Sequence, residues 1–309
     1  MSQEVIAVVG SGVWGSLLAE LIRQNGYPVQ VWSRRCGQPL HVALQSATMV
    51  VIAVSVAGVL PVLQAMPPLL PETVIVSATK GLLPDSHTTP AQLWQKAFPN
   101  HGVVVVSGPN LAAEIAQGLP AATVAASLRP EAAQRVQQVL ASERFRVYTN
   151  DDPLGTELGG ALKNVMAIAA GVCDGLHLGA NAKAGLITRA LAEMVRVAVA
   201  LGARAHTLYG LSGLGDLLAT CNSPLSRNYR LGYGLAQGRS LGDILQELQT
   251  TVEGVNTTQV LVQLADQRGI AVPIAQQVYR LLQGQITPQQ AVAALMERDL
   301  KAEFAANKL

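Results

Sequence analysis

The sequence predicts an α/β domain built on a mostly parallel sheet, followed by an all-helical domain. Up to about residue 150, short runs of Val and Ile alternate with segments rich in Ala and Leu. This alternation is typical of strands that are buried on both faces of a parallel sheet, with helices on each side. After that point the apolar residues recur three or four positions apart, which is helical spacing. We therefore expect domains at residues 1–150 and 151–309.

The elements of the first domain follow from β-branched runs and from the segments between them. The alternation of strands and helices predicts right-handed crossovers. The seven predicted strands are Val5–Val9, Val29–Trp32, Met49–Val54, Val74–Val76, Val103–Val106, Thr123–Ala126 and Phe145–Tyr148. The predicted helices between them are Val13–Asn25, Thr89–Phe98, Leu111–Gln117 and Pro130–Ala141.

The segment between His41 and Glu72 carries no charge and invites a membrane interpretation. Its apolar part, residues 47–63, is shorter than the roughly 20 residues that a membrane helix needs. Pro61 interrupts this part, and further prolines follow it. We expect a buried strand, a turn and a short helix here, and no membrane span.

The second domain begins with a helix signal. Asp151, Asp152 and Pro153 supply a cap and a first-turn proline, and no convincing strand follows them. Helical spacing then predicts helices around residues 187–201 and at Leu241–Leu248, Gly254–Arg268, Ile274–Leu282 and Pro288–Glu297.

The amino-acid composition indicates which classes of partner and which cellular compartment to expect. Hydrophobic residues make up 50% of the 309 residues and charged residues 14%, which favours a packed core over disorder. The net charge is +2 and no basic patch stands out, so we expect no nucleic-acid partner. Cys36, Cys173 and Cys221 are widely spaced and lack zinc-like spacing with His. Together with an N-terminus unlike a signal peptide, they predict a cytoplasmic protein without a metal site.

A glycine-rich motif directly follows the first predicted strand and opens the first helix. It reads Gly10, Ser11, Gly12, Val13, Trp14, Gly15. In a dinucleotide-binding motif the first glycine makes a tight turn and the second lets the backbone approach a pyrophosphate. The third lets the helix pack closely on the strand, and the helix N-terminus offers N–H groups to the phosphates. The alternative is a glycine turn that binds nothing.

Two arginines closely follow the second predicted strand, at the place where an NAD-preferring site presents an acidic residue to the ribose. Arg34 and Arg35 stand there instead. A guanidinium pairs well with a 2′-phosphate, so this position favours NADPH over NADH. A solvated basic turn is the alternative.

Further polar residues lie where ligands bind in open α/β sheets, past the carboxyl ends of strands. Lys80 follows the fourth strand, while Gly108 and Asn110 follow the fifth. Lys80 fits an anionic substrate, although such a lysine by itself is more typical of a surface turn.

The helical domain adds its own candidate groups. Lys163 lies in an otherwise apolar stretch, where burial brings a lysine pKa into a useful acid/base range. The alternative is a lysine that extends along a helix into solvent. Asp216 and Ser226 are either site groups or helix N-caps.

Taken together, these motifs resemble the bacterial NAD(P)-dependent glycerol-3-phosphate dehydrogenase family. The resemblance covers most of the chain in family order. It rests on GSGVWG at 10–15, TKG at 79–81, SGPNLAAEI at 107–115, ELGGALKNVMAIAAGVCDGLHLGANAKAGLITRALAEM at 157–194, LSGLGDLLATCNSPLSRN at 211–228 and VEGVNT at 252–257.

The resemblance implies a Rossmann-like domain followed by a helical domain like that of 6-phosphogluconate dehydrogenase. It implies hydride transfer between NADPH or NADH and a small phosphate substrate, interconverting dihydroxyacetone phosphate and sn-glycerol 3-phosphate for phospholipid synthesis. It also implies a homodimer, with Lys163 as the catalytic proton donor or acceptor. Implied substrate contacts are Lys80, Gly108, Asn110, Lys163, Asp216, Ser226, Arg227 and Asn228. Implied cofactor contacts are Gly10, Ser11, Gly12, Val13, Trp14, Gly15, Arg34, Arg35, Lys80, Ala112, Arg227, Thr251 and Glu253.

Two features depart from the family pattern. Asn110 stands where relatives usually have Ser or Thr. Residues 36–48 form a link that is shorter than that of relatives, and we expect it to hold little regular structure.

Two other functions remain as alternatives. A related enzyme, such as a 3-hydroxyacyl-CoA dehydrogenase or a ketopantoate reductase, predicts a different helical domain without SPLSRN. A non-catalytic NADP sensor needs none of the four charged residues Lys80, Lys163, Asp216 and Arg227.

Overall fold

A computed structural model describes residues 4–84, 88–249, 251–300 and 302–303. Its first half contains one seven-stranded sheet with the strand order β2-β1-β3-β4-β5-β6-β7. All pairs are parallel except β5 and β6, which are antiparallel, so the predicted mostly parallel sheet is confirmed. The strands are β1 Ile6–Val9, β2 Val29–Trp32, β3 Met49–Ile52, β4 Val74–Ser77, β5 Gly102–Ser107, β6 Ala121–Ala126 and β7 Phe145–Asn150.

The parallel register brings the carboxyl ends of the first strands to one edge. Ile6 pairs with both Val29 and Met49, so β1 lies between β2 and β3. Beyond the ladder, the N–H of Gly10 donates to the carbonyl of Trp32 at 2.8 Å. The segments that follow β1 and β2 therefore emerge side by side.

Helices cover both faces of the sheet over two clusters of buried Val, Ile, Leu and Ala side chains. One short helix corrects the sequence-based expectation for residues 36–48, because this link folds into a helix from Leu40 to Leu44 that buries both of those leucines. The helices are α1 Val13–Gln24, α2 Leu40–Leu44, α3 Val56–Ala65, α4 Pro90–Ala97, α5 Ala112–Ala116 and α6 Pro130–Leu140.

The second half is helical, and no strand follows β7 in the described residues. A π-helical turn, Leu211–Gly215, interrupts the series before α10. The helices are α7 Pro153–Gly175, α8 Gly179–Ala200, α9 Ala205–Leu208, α10 Asp216–Cys221, α11 Arg227–Ala236, α12 Leu241–Leu248, α13 Glu253–Arg268, α14 Pro273–Leu282 and α15 Pro288–Met296.

Helix α7 is the axis of the helical domain and is buried along most of its length. As predicted, Asp152 caps it by accepting from the N–H of Gly155 at 2.9 Å. Glycines let α11 pack backbone to backbone on α7, since a Cβ at Gly171 would overlap the carbonyl of Tyr229. This close crossing places the first turn of α11 beside the middle of α7.

The uncharged segment after His41 folds as predicted, into buried β3 and the short helix α3 with Pro61 inside it. Across the described ranges, no helix combines the length and apolarity needed to cross a membrane.

Candidate active site

The glycine loop, residues 10–15, has the geometry that its three glycines predict. Gly10 adopts φ +119°, and a Cβ there would overlap the carbonyl of Ala53. A Cβ at Gly15 would overlap the carbonyl oxygen of Gly10, so only glycine lets α1 start this close to β1. By contrast, apart from Gly12 and its two chain neighbours, no atom of the described residues lies within 4 Å of a Cβ built on Gly12. Open space at Gly12 is what a bound pyrophosphate requires.

The loop also leaves hydrogen-bond donors unused. Gly12 is the N-cap of α1 and offers no side chain to the first-turn N–H groups. Ser11 and Val13 are exposed, while the indole N–H of Trp14 is buried without a partner. Ala112 packs against the same core cluster as Trp14. These residues fit a dinucleotide, because a helix N-terminus and a free donor suit its phosphates and polar groups.

Arg34 and Arg35 follow β2 at the same edge as the glycine loop, and both are exposed. The turn that carries them is held by the indole N–H of Trp32, which donates to the carbonyl of Gln38 at 2.7 Å. Their guanidinium groups are therefore available to an anionic group bound beyond the glycine loop.

A buried charged group, which we call the lysine centre, is formed by Lys80, Lys163 and Asp216. Lys163 Nζ lies 2.6 Å from Asp216 Oδ1, and Lys80 Nζ lies 2.6 Å from Asp216 Oδ2. The Asp216 side chain is 1% exposed, that of Lys163 9% and that of Lys80 19%. One buried carboxylate thus holds two ammonium groups that face each other across it.

Burial sets the acid/base character of Lys163. Desolvation lowers its pKa to about 8, because the negative charge of Asp216 only partly offsets burial and the nearby Lys80 charge lowers the pKa further. Lys163 also donates to Thr220 Oγ1 at 2.7 Å. An ammonium has three N–H groups, so one is left for a ligand. The two alternatives, a solvent-extended Lys163 and a surface Lys80, are both wrong.

A pair of glycines in α7 makes this arrangement possible. A Cβ at Gly160 would overlap Ser107 Oγ and would lie 3.5 Å from the Lys80 side chain. A Cβ at Gly159 would come within 2.9 Å of the Ser212 carbonyl carbon, in the π-helical turn just before Asp216. The helix therefore touches the Lys80 loop on one side and the Asp216 turn on the other.

Sequence reasoning did not identify Thr220, Gly159 or Gly160 as functional. Two adjacent glycines inside a predicted helix were an available signal, because each costs about 1 kcal/mol of helix propensity and so indicates close packing. Thr220 lies one turn after Asp216, and nothing in its local pattern separates it from other helical threonines.

Of the two residues predicted to be either site groups or helix N-caps, Ser226 is an N-cap and Asp216 is not. Asp216 is the first residue of α10 and both of its carboxylate oxygens bind lysines, so the N-cap alternative is wrong. Ser226 does cap α11, accepting from the N–H of Tyr229 at 3.2 Å.

The loop after β5 forms another wall of the site. The carbonyl of Gly108 accepts from Lys80 Nζ at 3.1 Å, and Pro109 lies against Gly215 beside Asp216. The Asn110 amide donates to Thr123 Oγ1 at 2.9 Å, and its Oδ1 is buried without a partner. Asn110 therefore keeps an unused acceptor.

The first turn of α11 brings Ser226, Arg227 and Asn228 to the side of α7. Asn228 is buried; its amide donates to Asn164 Oδ1 at 3.0 Å and its Oδ1 accepts from the N–H of Gly254 at 2.9 Å. Arg227 is exposed at the first position of the helix. This arrangement links α7, α11 and α13 and leaves the Arg227 guanidinium free to bind an anion.

The start of α13 faces the sheet domain. Glu253 Oε1 accepts from the N–H of Val56, at the start of α3, at 3.4 Å. Burial raises the pKa of Glu253, although the N–H of Val56 and the charge of Arg227 both act to lower it. Thr251 is exposed just before this helix. Among the residues that the structure describes, no cluster of His, Cys, Asp and Glu could hold a metal ion.

Two family models match the chain. The model described as the C-terminus of NAD-dependent glycerol-3-phosphate dehydrogenase matches residues 152–293. The model described as the N-terminus of the same enzyme matches residues 5–40 and 37–133. The match therefore includes the helical half, where the alternative enzymes predict a different domain.

Individual relatives agree along nearly the full length. A protein of a Nostoc species named glycerol-3-phosphate dehydrogenase [NAD(P)+] is 59% identical over 307 residues, covering 98% of this chain and 100% of the relative. A Synechocystis protein of the same name is 59% identical over 302 residues, covering 97% of this chain and 95% of the relative. The crystal structure of glycerol-3-phosphate dehydrogenase from Coxiella burnetii superposes with a TM-score of 0.89 at 34% identity, covering 96% of this chain and 99% of that chain.

Proposed function

The chain belongs to the NAD-dependent glycerol-3-phosphate dehydrogenase family, and we propose that its lysine centre performs the proton transfer of that reaction. The enzyme is an NAD(P)-dependent oxidoreductase that interconverts dihydroxyacetone phosphate and sn-glycerol 3-phosphate. The observation that carries the catalytic proposal is the buried carboxylate of Asp216, with Lys163 and Lys80 each 2.6 Å away.

Lys163 is the general acid in the direction of reduction. Bound NAD(P)H supplies a hydride to the ketone carbon of the substrate. The electron pair of the carbonyl then moves onto oxygen, and Lys163 donates a proton to that oxygen through its remaining N–H. In the reverse direction neutral Lys163 accepts the hydroxyl proton. A pKa near 8 supports both roles, because both protonation states are populated close to neutral pH.

Lys80 stabilises the negative charge that develops on the same oxygen. It lies opposite Lys163 on Asp216 and is partly open to the site. A fixed cation acts strongly in a site from which water is excluded. Asp216 offsets the two positive charges and fixes the orientation of both ammonium groups, so that neither lysine has to reorganise during the reaction.

The substrate phosphate binds at the first turn of α11. The free Arg227 guanidinium, beside Ser226 and Asn228, offers the donors and the charge that a phosphate dianion requires. Gly108 and Asn110 contact the rest of the substrate, where Asn110 Oδ1 is available to accept from a hydroxyl. Arg227, Thr251 and Glu253 also approach the cofactor, as do Lys80 and Ala112.

The cofactor occupies the glycine loop, and NADPH is the preferred form. Arg34 and Arg35 are exposed beyond β2, where a 2′-phosphate would emerge.

The domain boundary lies between residues 150 and 151, after β7 and before the cap of α7. The protein acts in the cytoplasm as a homodimer and supplies glycerol 3-phosphate for phospholipid synthesis.

The first test is the loss of absorbance of the reduced nicotinamide when dihydroxyacetone phosphate is added, with NADPH and NADH in parallel. We expect oxidation of both, with a higher kcat/KM for NADPH. Binding of NADPH without any oxidation would contradict the catalytic proposal and favour a sensor. Equal kcat/KM values would contradict the cofactor preference alone.

A further inference from the structure

Glu157 is a buried carboxylate that the proposed reaction does not use. It lies in the second turn of α7 and is 2% exposed. Its carboxylate contacts the sheet domain, where it accepts from the N–H of Ala91 at 2.9 Å and from Ser77 Oγ at 3.3 Å. The Thr89 hydroxyl is a further donor. A buried carboxylate is costly unless it is hydrogen-bonded, so these three donors anchor it in the sheet domain.

The partners of Glu157 lie at the base of the loop that carries Lys80. Ser77 is the last residue of β4, and Lys80 follows three positions later. Ala91 lies in the first turn of α4, where backbone N–H groups have no partner within the helix. Glu157 therefore accepts a hydrogen bond that α4 itself cannot satisfy. One side chain of α7 therefore holds the strand that delivers Lys80 and the helix packed beside it.

Glu157 shares one face of α7 with the close contact at Gly160. Residues three positions apart in a helix are neighbours on its surface. Gly160 packs on Ser107 and on the Lys80 side chain, and Lys163 follows three positions later. Gly159 meanwhile packs on Ser212, just before Asp216. Lys163 and Asp216 thus belong to tightly packed elements of the helical domain, whereas Lys80 belongs to the sheet domain.

We propose that Glu157 is a positioning residue that fastens α7 to the end of β4, so that Lys80 meets Lys163 across Asp216. This inference rests on the proposed function, because it assigns Glu157 to the geometry of the lysine centre. It predicts that losing the carboxylate separates Lys80 from Lys163 while leaving Lys163 on Asp216.

The chain contains a matched control in Glu193. This residue of α8 is 1% exposed. It also accepts from first-turn N–H groups of another helix, those of Ile274 and Ala275, at 2.9 Å each. Burial raises its pKa, as burial raises that of Glu157 to about 7. Glu193, however, joins α8 to α14 within the helical domain. The two residues share burial and chemistry, and only Glu157 crosses to the Lys80 loop.

The test compares Glu157→Ala, Glu157→Gln and Glu193→Ala in reduction of dihydroxyacetone phosphate. We expect Glu157→Ala to lower kcat by about 10²-fold, the size of loss that a shift of about 1 Å in a reacting group produces. Its affinity for NADPH, measured by fluorescence, should fall far less than its kcat, because the glycine loop stays intact and Lys80 is only one of the proposed cofactor contacts. Glu157→Gln should keep most of the kcat, since its amide oxygen still accepts from Ala91. Glu193→Ala should lower the melting temperature and leave kcat intact.

The pH profile separates positioning from simple loss of stability. The Lys80 charge and burial both lower the pKa of Lys163. If Lys80 moves away and water enters, that pKa rises, so the alkaline limb of kcat/KM should move to higher pH in Glu157→Ala. It should not move in Glu193→Ala. If Glu157→Ala fails to fold, Glu157→Asp, which is one methylene shorter, takes its place in both measurements.

Each outcome has a distinct meaning. A wild-type enzyme that does not oxidise NADPH with dihydroxyacetone phosphate overturns the proposed function itself. If the wild type turns over and Glu157→Ala (or the Asp variant) keeps its kcat and its alkaline limb, the positioning role is wrong. Equal losses of kcat in Glu157→Ala and Glu193→Ala, with unmoved limbs, would also overturn it, because they would show stability effects alone.

Discussion

The glycine loop and the lysine centre both belong to the proposed active site, but the chain forms them by different means. In the loop, six consecutive residues suffice, and what counts is the side-chain volume that is absent at Gly10, Gly12 and Gly15. In the centre, Lys163 and Lys80 come from 53 and 136 positions away to reach Asp216. The loop is a local backbone feature, whereas the centre exists only after the two domains pack together.

This difference suits the two regions to the separate tasks that we propose for them. A loop of backbone donors and open space holds a cofactor without changing its own charge. A buried pair of lysines on one carboxylate responds to every charge that develops nearby, because electrostatic interactions strengthen when water is excluded. Substitutions in the centre should therefore change turnover, and substitutions in the loop should change cofactor binding or folding.

The largest expected effect is that of Lys163→Ala. Removing the proposed proton donor should lower kcat by about 10²–10⁴-fold, the usual contribution of general acid–base catalysis. The Kd for NADPH should stay unchanged, because the glycine loop is intact. Steady-state kinetics and fluorescence titration measure the two quantities.

The matched control is Lys183→Ala. Lys183 is also a partly buried lysine of the helical domain, paired with Asp174 at 2.5 Å. This variant should keep its kcat. Near-wild-type turnover in Lys163→Ala would remove Lys163 from the mechanism, and parallel loss of NADPH affinity would show that the two regions are not separable.

The second largest effect should come from the loop and should differ between two of its glycines. In Gly15→Ala the new Cβ meets the Gly10 carbonyl, so we expect a loss of about 1–3 kcal/mol in the free energy of unfolding. In Gly12→Ala the Cβ enters open space, so stability should hold while NADPH affinity falls about tenfold, or about 1.4 kcal/mol. Urea unfolding and fluorescence titration test the pair.

Gly185→Ala controls for the substitution itself. Gly185 lies in α8, and outside its chain neighbours and the backbone of its own helix no atom of the described residues lies within 4 Å of a built Cβ. Alanine is also the better helix former. This variant should be at least as stable as the wild type and bind NADPH normally. Equal losses of affinity and stability in both loop variants would contradict separate roles for Gly12 and Gly15.

How far each region could be predicted follows from the same contrast. The seven strands, the backbone geometry of the glycine loop and the Asp152 cap were predicted correctly because each depends on neighbouring residues. Lys80 by itself looked like a surface lysine, and Asp216 like a possible N-cap, because their pairing is a long-range contact. The family resemblance supplied their implied roles but not their distances. Glu157 was missed altogether, since nothing local shows that a glutamate in an apolar helix reaches another domain.

The pH dependence is expected to show the acid/base state of the centre. With a pKa of about 8 lowered chiefly by burial, Lys163 is mostly protonated at pH 7 and mostly neutral at pH 9. The kcat/KM for ketone reduction should therefore be level below about pH 8 and fall about tenfold per pH unit above it. The kcat/KM for alcohol oxidation, which needs neutral Lys163, should rise about tenfold per pH unit below about pH 8 and be level above it. Limbs of the same sign in both directions would contradict a single group that donates and accepts the proton.

The smallest effect should come from Arg34, which follows β2 at the same edge of the sheet as the glycine loop. Arg34 is exposed, so its interaction with a 2′-phosphate is weakened by solvent, and Arg34→Ala should raise the Kd for NADPH by roughly five- to tenfold, or about 1 kcal/mol. The Kd for NADH should hardly change, because NADH has no 2′-phosphate. Arg23→Ala, which removes an exposed arginine from the last turn of α1, should alter neither value. Equal losses for NADPH and NADH in Arg34→Ala would mean that Arg34 supports the glycine loop as a whole and does not recognise the 2′-phosphate. Charge would then determine function in the lysine centre alone, and not in cofactor selection.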